Sequence, residues 1–137
     1  MCNNCKFYIV NCRLKKERQL DKEELKQRAK IFAHRCIKLC TTLPKTILGG
    51  HISNQLIRSS TSVAANYRAV CTAQSRATFI SKLAIVIEEI DESYFWIEFA
   101  ADEKIVKKEK VVDLLQEAKE LTAIFVASQN TARRNKK

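Results

Sequence analysis

Three kinds of side chain in this sequence could do chemistry: thiols that hold metal, histidines and clustered carboxylates that act as acids, bases or ligands, and cations that grip phosphate. Cys2 and Cys5 form a CxxC, with Cys12 seven residues further on. A structural zinc takes about four ligands at tight spacing, usually from a second CxxC or an HxxxH pair, and the sequence has neither. Cys36, Cys40 and Cys71 fall on or beside apolar helix faces, where a reduced Cys packs as a small hydrophobe. Glu88, Glu89 and Glu92 cluster, but di-iron bundles use Glu-x-x-His on two helices and no such pattern occurs. His34 and His51 lack Asp or Cys partners at catalytic or ligand spacing, so they read as surface or packing histidines. With no glycine-rich phosphate loop, GxSxG or zinc-protease motif either, the expectation is no enzyme, no cofactor and no metal.

Cation chemistry remains. The 137 residues carry 25 Lys and Arg against 15 Asp and Glu, a net charge of +10 that implies an anionic partner or surface. The charge is segregated. Residues 1–82 hold 16 bases and 4 acids, whereas residues 83–137 hold 9 bases and 11 acids. Between Leu25 and Lys82 there are ten bases and no acid, and between Leu83 and Glu103 seven acids and no base. A fold that keeps these stretches apart has a basic side and an acidic side, suited to binding an anion or to associating head to tail with itself.

The elements that must position these cations are helices. Two Gly and one Pro in 137 residues leave few breaks, and the length fits one domain. Leu25, Ala29, Phe32, Cys36, Leu39 and Leu43 step by four and three, a bundle seam, in a helix that starts near an Asp21 cap and stops before Pro44. Pro44 to Gly50 reads as a turn. A second helix is predicted over 52–72, its middle RSSTSVAAN small enough for close approach of a neighbouring helix or subunit. Ser75 caps a third helix to about Ala101, built on Phe79, Leu83, Val86, Ile90, Tyr94 and Ile97. Ile80, Ile87, Phe95 and Trp96 lie off that stripe, and an apolar surface on more than one face favours an oligomer. A fourth helix is predicted from about Lys104 to Asn130. The expected architecture is all-α: an antiparallel up-down-up-down four-helix bundle over 21–130, an N-terminal extension 1–20 and a basic tail 131–137. The apolar run Phe7–Val10 is too short for a signal-peptide core or a membrane span, so the expected setting is cytoplasmic with reduced thiols.

The segment from Leu25 to about Phe99 resembles a known family. On the second helix Gln55, Leu56, Arg58, Ser59, Ser62, Val63, Ala65, Asn66 and Tyr67, and on the third Glu89, Glu92 and Trp96, are similar to the core signature of the 23S ribosomal RNA intervening-sequence proteins. The resemblance implies an antiparallel four-helix bundle that assembles as a ring, typically a homopentamer, with no assigned enzymatic activity. Members occur within insertions in bacterial 23S rRNA genes, and related basic members act as the accessory variability determinant of diversity-generating retroelements, binding a reverse transcriptase and its template RNA. Ala69 stands where the family often has Glu, which helps to make the second helix wholly basic.

Residue by residue, the candidates for phosphate contact are Lys26, Arg28, Lys30, Arg35 and Lys38, which open the acid-free stretch from Leu25 to Lys82, together with Arg58, Arg68, Arg133 and Arg134. Arg58 and Arg68 have a structural alternative, pairing with Glu89 or Glu92. Ser59, Ser62, Asn66, Tyr67 and Trp96 are expected at bundle or subunit contacts, with Asn66 bonding across to another helix to fix register. Three functions follow for testing: a homo-oligomeric scaffold for structured RNA, a protein–protein adaptor whose basic face only solubilises, and, more distantly, a metal or redox protein using the Cys-rich start.

Overall fold

The computed structural model describes residues 15–135. They form four helices: α1 (Lys15–Thr42), α2 (Ile47–Cys71), α3 (Arg76–Asp102) and α4 (Lys108–Arg134). No strand occurs among the described residues. Connections this short make sequential helices antiparallel neighbours. In the bundle α2 packs on α1 and α3, α4 packs on α3, and α1 meets α4 along the thinnest seam. Neither diagonal pair brings Cα atoms within 8 Å, so where those helices meet it is through side chains.

The core follows the predicted seams. Leu25, Ala29, Phe32 and Cys36 of α1 are buried with Leu56, Val63 and Tyr67 of α2, Leu83, Val86, Ile90 and Ile97 of α3, and Leu114, Leu121 and Phe125 of α4. Tyr67 and Phe125 meet ring to ring at 5.2 Å between centroids. A second cluster closes one end, with Leu43, Ile52 and Ala100 buried beneath Leu48, Trp96, Phe99 and Ile105. Burial of this kind contributes about 1.5–3 kcal/mol for each large aliphatic or Phe side chain and is the main force holding the bundle together.

The ends differ from the sequence reading at four places. Helix α1 begins at Lys15, ahead of Asp21, since the good helix formers of 15–20 extend it upstream. Helix α2 begins at Ile47, so Gly49 and Gly50 belong to the helix and not to the turn. Its cap is Thr46, whose hydroxyl accepts from the Gly49 N–H at 3.1 Å. Gly49 is required there because a Cβ would drive into the Pro44 carbonyl. The connection after α3 runs to Lys107, displacing the start of α4 from Lys104 to Lys108. Lys104 has a left-handed φ of 60°. Its N–H donates to Ala101 O at 3.0 Å and that of Ile105 to Ala100 O at 3.2 Å, a Schellman ending to α3 in which Lys fills the usual Gly position. Helix α4 then continues to Arg134, which puts Arg133 and Arg134 on its last turn rather than on a separate tail. The predicted Ser75 cap of α3 is in place, accepting from Thr78 N–H at 3.0 Å.

The small-residue stretch of α2 faces two neighbours. Ser59 and Ser60 are fully buried. The Ser93 hydroxyl of α3 donates to Ser59 Oγ at 2.9 Å, and Ser60 hydrogen-bonds the Cys36 thiol of α1. Asn66 does not bond across helices: its amide donates to Ser62 O at 2.9 Å and Ser62 Oγ at 2.8 Å, one turn back on its own helix. A polar side chain on a helix reaches the carbonyl four residues earlier without strain, and that local bond wins here. Cys36 is buried, and burial pushes its thiol up to about 12; burial also raises Cys40 and Cys71, so all three are poor nucleophiles.

Candidate nucleic-acid interface

Whether a cation is available to phosphate depends on what already holds it. Arg58, on the outer side of α2, lies opposite two acids of α3. Its Nη1 donates to Glu89 Oε2 at 3.2 Å, its Nη2 pairs with Glu92 Oε1, and its Nε donates to Gln55 Oε1 at 3.4 Å. The indole of Trp96 donates to the same Glu92 oxygen at 3.3 Å, and the His51 ring meets the Trp96 ring edge-on at 5.3 Å. The hydrogen bond from Arg58 holds the Glu92 carboxyl below its usual range and raises the guanidinium in turn. Gln55, Arg58, Glu89, Glu92 and Trp96 thus form one polar clasp between α2 and α3.

Arg28 is held in the same way. Its Nη2 pairs with Glu117 Oε1, its Nε donates to Glu117 Oε2 at 3.3 Å, and Glu120 lies 3.8 Å away. The Glu117 hydrogen bond raises the Arg28 guanidinium. This bidentate pair ties the thin α1–α4 seam. The expectation that Arg28 has no acid nearby is therefore corrected, because its partners arrive from the far end of the chain. Lys26 also has one, Glu23 at 2.8 Å.

Lys30, Arg35, Lys38, Arg68, Arg133 and Arg134 form no ion pair with any carboxylate of residues 22–135. They sit on α1, late α2 and the last turn of α4. The antiparallel order brings the starts of α1 and α3 to the same end of the bundle as the finishes of α2 and α4. Lys26, Arg68, Arg76, Arg133 and Arg134 share that end, and Arg76 donates to the Asn135 carbonyl at 2.8 Å.

Between α1 and α2 the surface is indented by a groove of about 440 Å³. Its α1 wall is Glu23, Lys26, Gln27, Lys30, Ala33, His34 and Ile37, and its α2 wall is Thr61, Ala64, Ala65 and Arg68. The spacing of Lys26, Lys30 and His34 puts them on one row of α1. Short side chains at 61, 64 and 65 leave the space open. Sequence reasoning treated His34 as an isolated histidine and did not bring Thr61, Ala64 and Ala65 to it; the signal was the match of a basic row on one helix with a run of small residues on the next.

Other candidates fall elsewhere. Ser59 and Tyr67 are buried in the bundle, Trp96 packs half-buried against its core, and Ser62 holds Asn66. The cysteines at 2, 5 and 12 lie outside the described residues. Among those described, no group of three or more His, Cys, Asp or Glu is placed to hold a metal ion, and no helix is long and apolar enough to cross a membrane. Phe95 is 49% exposed and lies against Trp96 and Phe99 at 4.9 and 5.5 Å between centroids, leaving an aromatic patch on α3.

Residues 21–127 match the family model described as 23S rRNA-intervening sequence protein. A crystal structure of a protein of unknown function from the S23 ribosomal protein family of Bacteroides thetaiotaomicron superposes with a TM-score of 0.70 at 28% identity, covering 77% of this chain and 97% of that one. No curated protein matches the chain.

Proposed function

The chain belongs to the 23S rRNA-intervening sequence protein family, and on that premise we propose that it is a non-enzymatic, homo-oligomeric scaffold that binds structured RNA through the basic face of α1 and late α2. The observation that carries this reading is the sorting of the cations. Arg28 and Arg58 are engaged by carboxylates of neighbouring helices, while Lys30, Arg35, Lys38 and Arg68, on two adjacent helices, form no ion pair with a carboxylate of residues 22–135. Unpaired cations on one face attract a polyanion, and each phosphate they neutralise releases counterions. Repetition of that face around an oligomer multiplies weak contacts into tight binding.

The test is a salt titration of binding to structured RNA and to duplex DNA. Affinity for RNA should fall linearly on a log–log plot with a slope of about −3 to −4, as expected for roughly four or five phosphate contacts. A flat response overturns the reading. One observation favours a second reading, a protein adaptor. The aromatic patch at Phe95 lies on the acidic helix, away from the basic groove, and suits a protein partner. In the scaffold reading that partner is another copy of the chain.

A further inference from the structure

Resting on the RNA reading, we propose that the α1–α2 groove is a nucleotide subsite that takes one unpaired base with its phosphate, so that the protein prefers single-stranded RNA over duplex at this point. The groove joins two surfaces that a nucleotide needs together. Lys30 and Arg68 on opposite walls supply positive charge that no carboxylate of residues 22–135 takes up. The one acid on the lining, Glu23, is held by Lys26 at 2.8 Å. Along the groove from these cations the lining turns apolar at Ala64, Ala65 and Ile37, with the flat ring of His34 beside them.

A volume of about 440 Å³ lies at the lower end of small-ligand sites, the scale of a single nucleotide. A duplex presents its phosphates on the outside and keeps its bases stacked, so it reaches the cations and leaves the apolar wall empty. An unpaired nucleotide reaches both, stacking its base on the His34 ring as single-stranded RNA does on histidine planes elsewhere. A carboxylate from a second copy of the chain would satisfy the charge only, and two of the α3 acids, Glu89 and Glu92, are already tied to Arg58.

The experiment compares an unstructured RNA of about 16 nucleotides with the duplex made by annealing it to its complement, by fluorescence anisotropy at fixed salt. The proteins are the full chain and three variants: A65L, which fills the groove from an exposed helical position with another good helix former, H34A, and the double variant K30A/R68A. Circular dichroism and light scattering accompany each. The full chain should prefer the single strand by about tenfold, the scale of one stacked base. A65L and H34A should abolish that preference at unchanged duplex affinity, and K30A/R68A should weaken single-strand binding by more than tenfold. Equal affinity for both RNAs, or unchanged preference in A65L, overturns the subsite and leaves the general RNA reading in place. Failure of the full chain to bind either RNA overturns that reading and the subsite with it. Loss of oligomer mass in K30A/R68A with single-strand affinity unchanged also overturns the subsite, and identifies a second copy as what fills the groove.

Discussion

At the scale of single residues, Arg58 and Lys30 look alike in sequence and differ in the fold. Arg58 closes a clasp with Glu89, Glu92 and Gln55, whereas Lys30 lines an open groove. Removing Arg58 should therefore act on its carboxylates and not on RNA. In R58A the Glu92 carboxyl, now held below its usual range by the guanidinium, should titrate closer to an ordinary Glu, as NMR of the side-chain carboxyl will show. The sign for stability follows from a folded pKa below the unfolded one: the contribution is present above the ordinary Glu range and fades as pH falls through the lower folded value. It is small, because the Arg58 and Glu92 side chains are 48% and 34% exposed and water screens them. Unfolding midpoints of the native chain and R58A should converge as the solution is acidified. The Arg28 pairing was not legible in sequence for a physical reason. Glu117 and Glu120 are supplied by the last helix, and no local count of acids around Arg28 could find them.

At the scale of elements, what could be read was what depends on neighbours within a turn or two. The step of four and three along α1 and the Ser75 cap of α3 are of this kind, and both are in the structure. The start of α2 was not, since two adjacent glycines read as a reversal until Thr46 is seen capping a helix that contains them. The two glycines then make opposite predictions. G49A should lower stability by about 1–3 kcal/mol, because its Cβ has to displace the Pro44 carbonyl. At Gly50 a Cβ meets nothing within 4 Å, and the residue is exposed inside a helix, so G50A should raise stability by about 0.5–1 kcal/mol. Urea unfolding of the two variants checks both signs. The groove between α1 and α2 belongs to the same lesson. Each wall is visible as a pattern on its own helix, but only packing shows that the basic row and the small residues face each other.

For the whole molecule, the antiparallel order turns a linear excess of charge into a spatial one. Bases early in α1, late in α2, early in α3 and at the end of α4 meet at one end, while the acids of α3 fall in its second half. Phe95, with Phe99 and Trp96 against it, marks a separate surface, which the scaffold reading assigns to contact between subunits. F95D should reduce the mass of the particle in light scattering toward that of one chain while leaving helicity intact. A monomeric native chain contradicts the scaffold reading directly. The central claim is that unpaired cations of α1 and α2, and not the motif arginine of α2, hold RNA. It is tested most directly by the salt dependence of structured-RNA affinity in the native chain, R58A and K30A/R68A. The account predicts a slope in R58A equal to that of the native chain, and in K30A/R68A a slope shallower by about 1.4 to 1.8, the loss of two phosphate contacts. A shallower slope in R58A with K30A/R68A unchanged would contradict it.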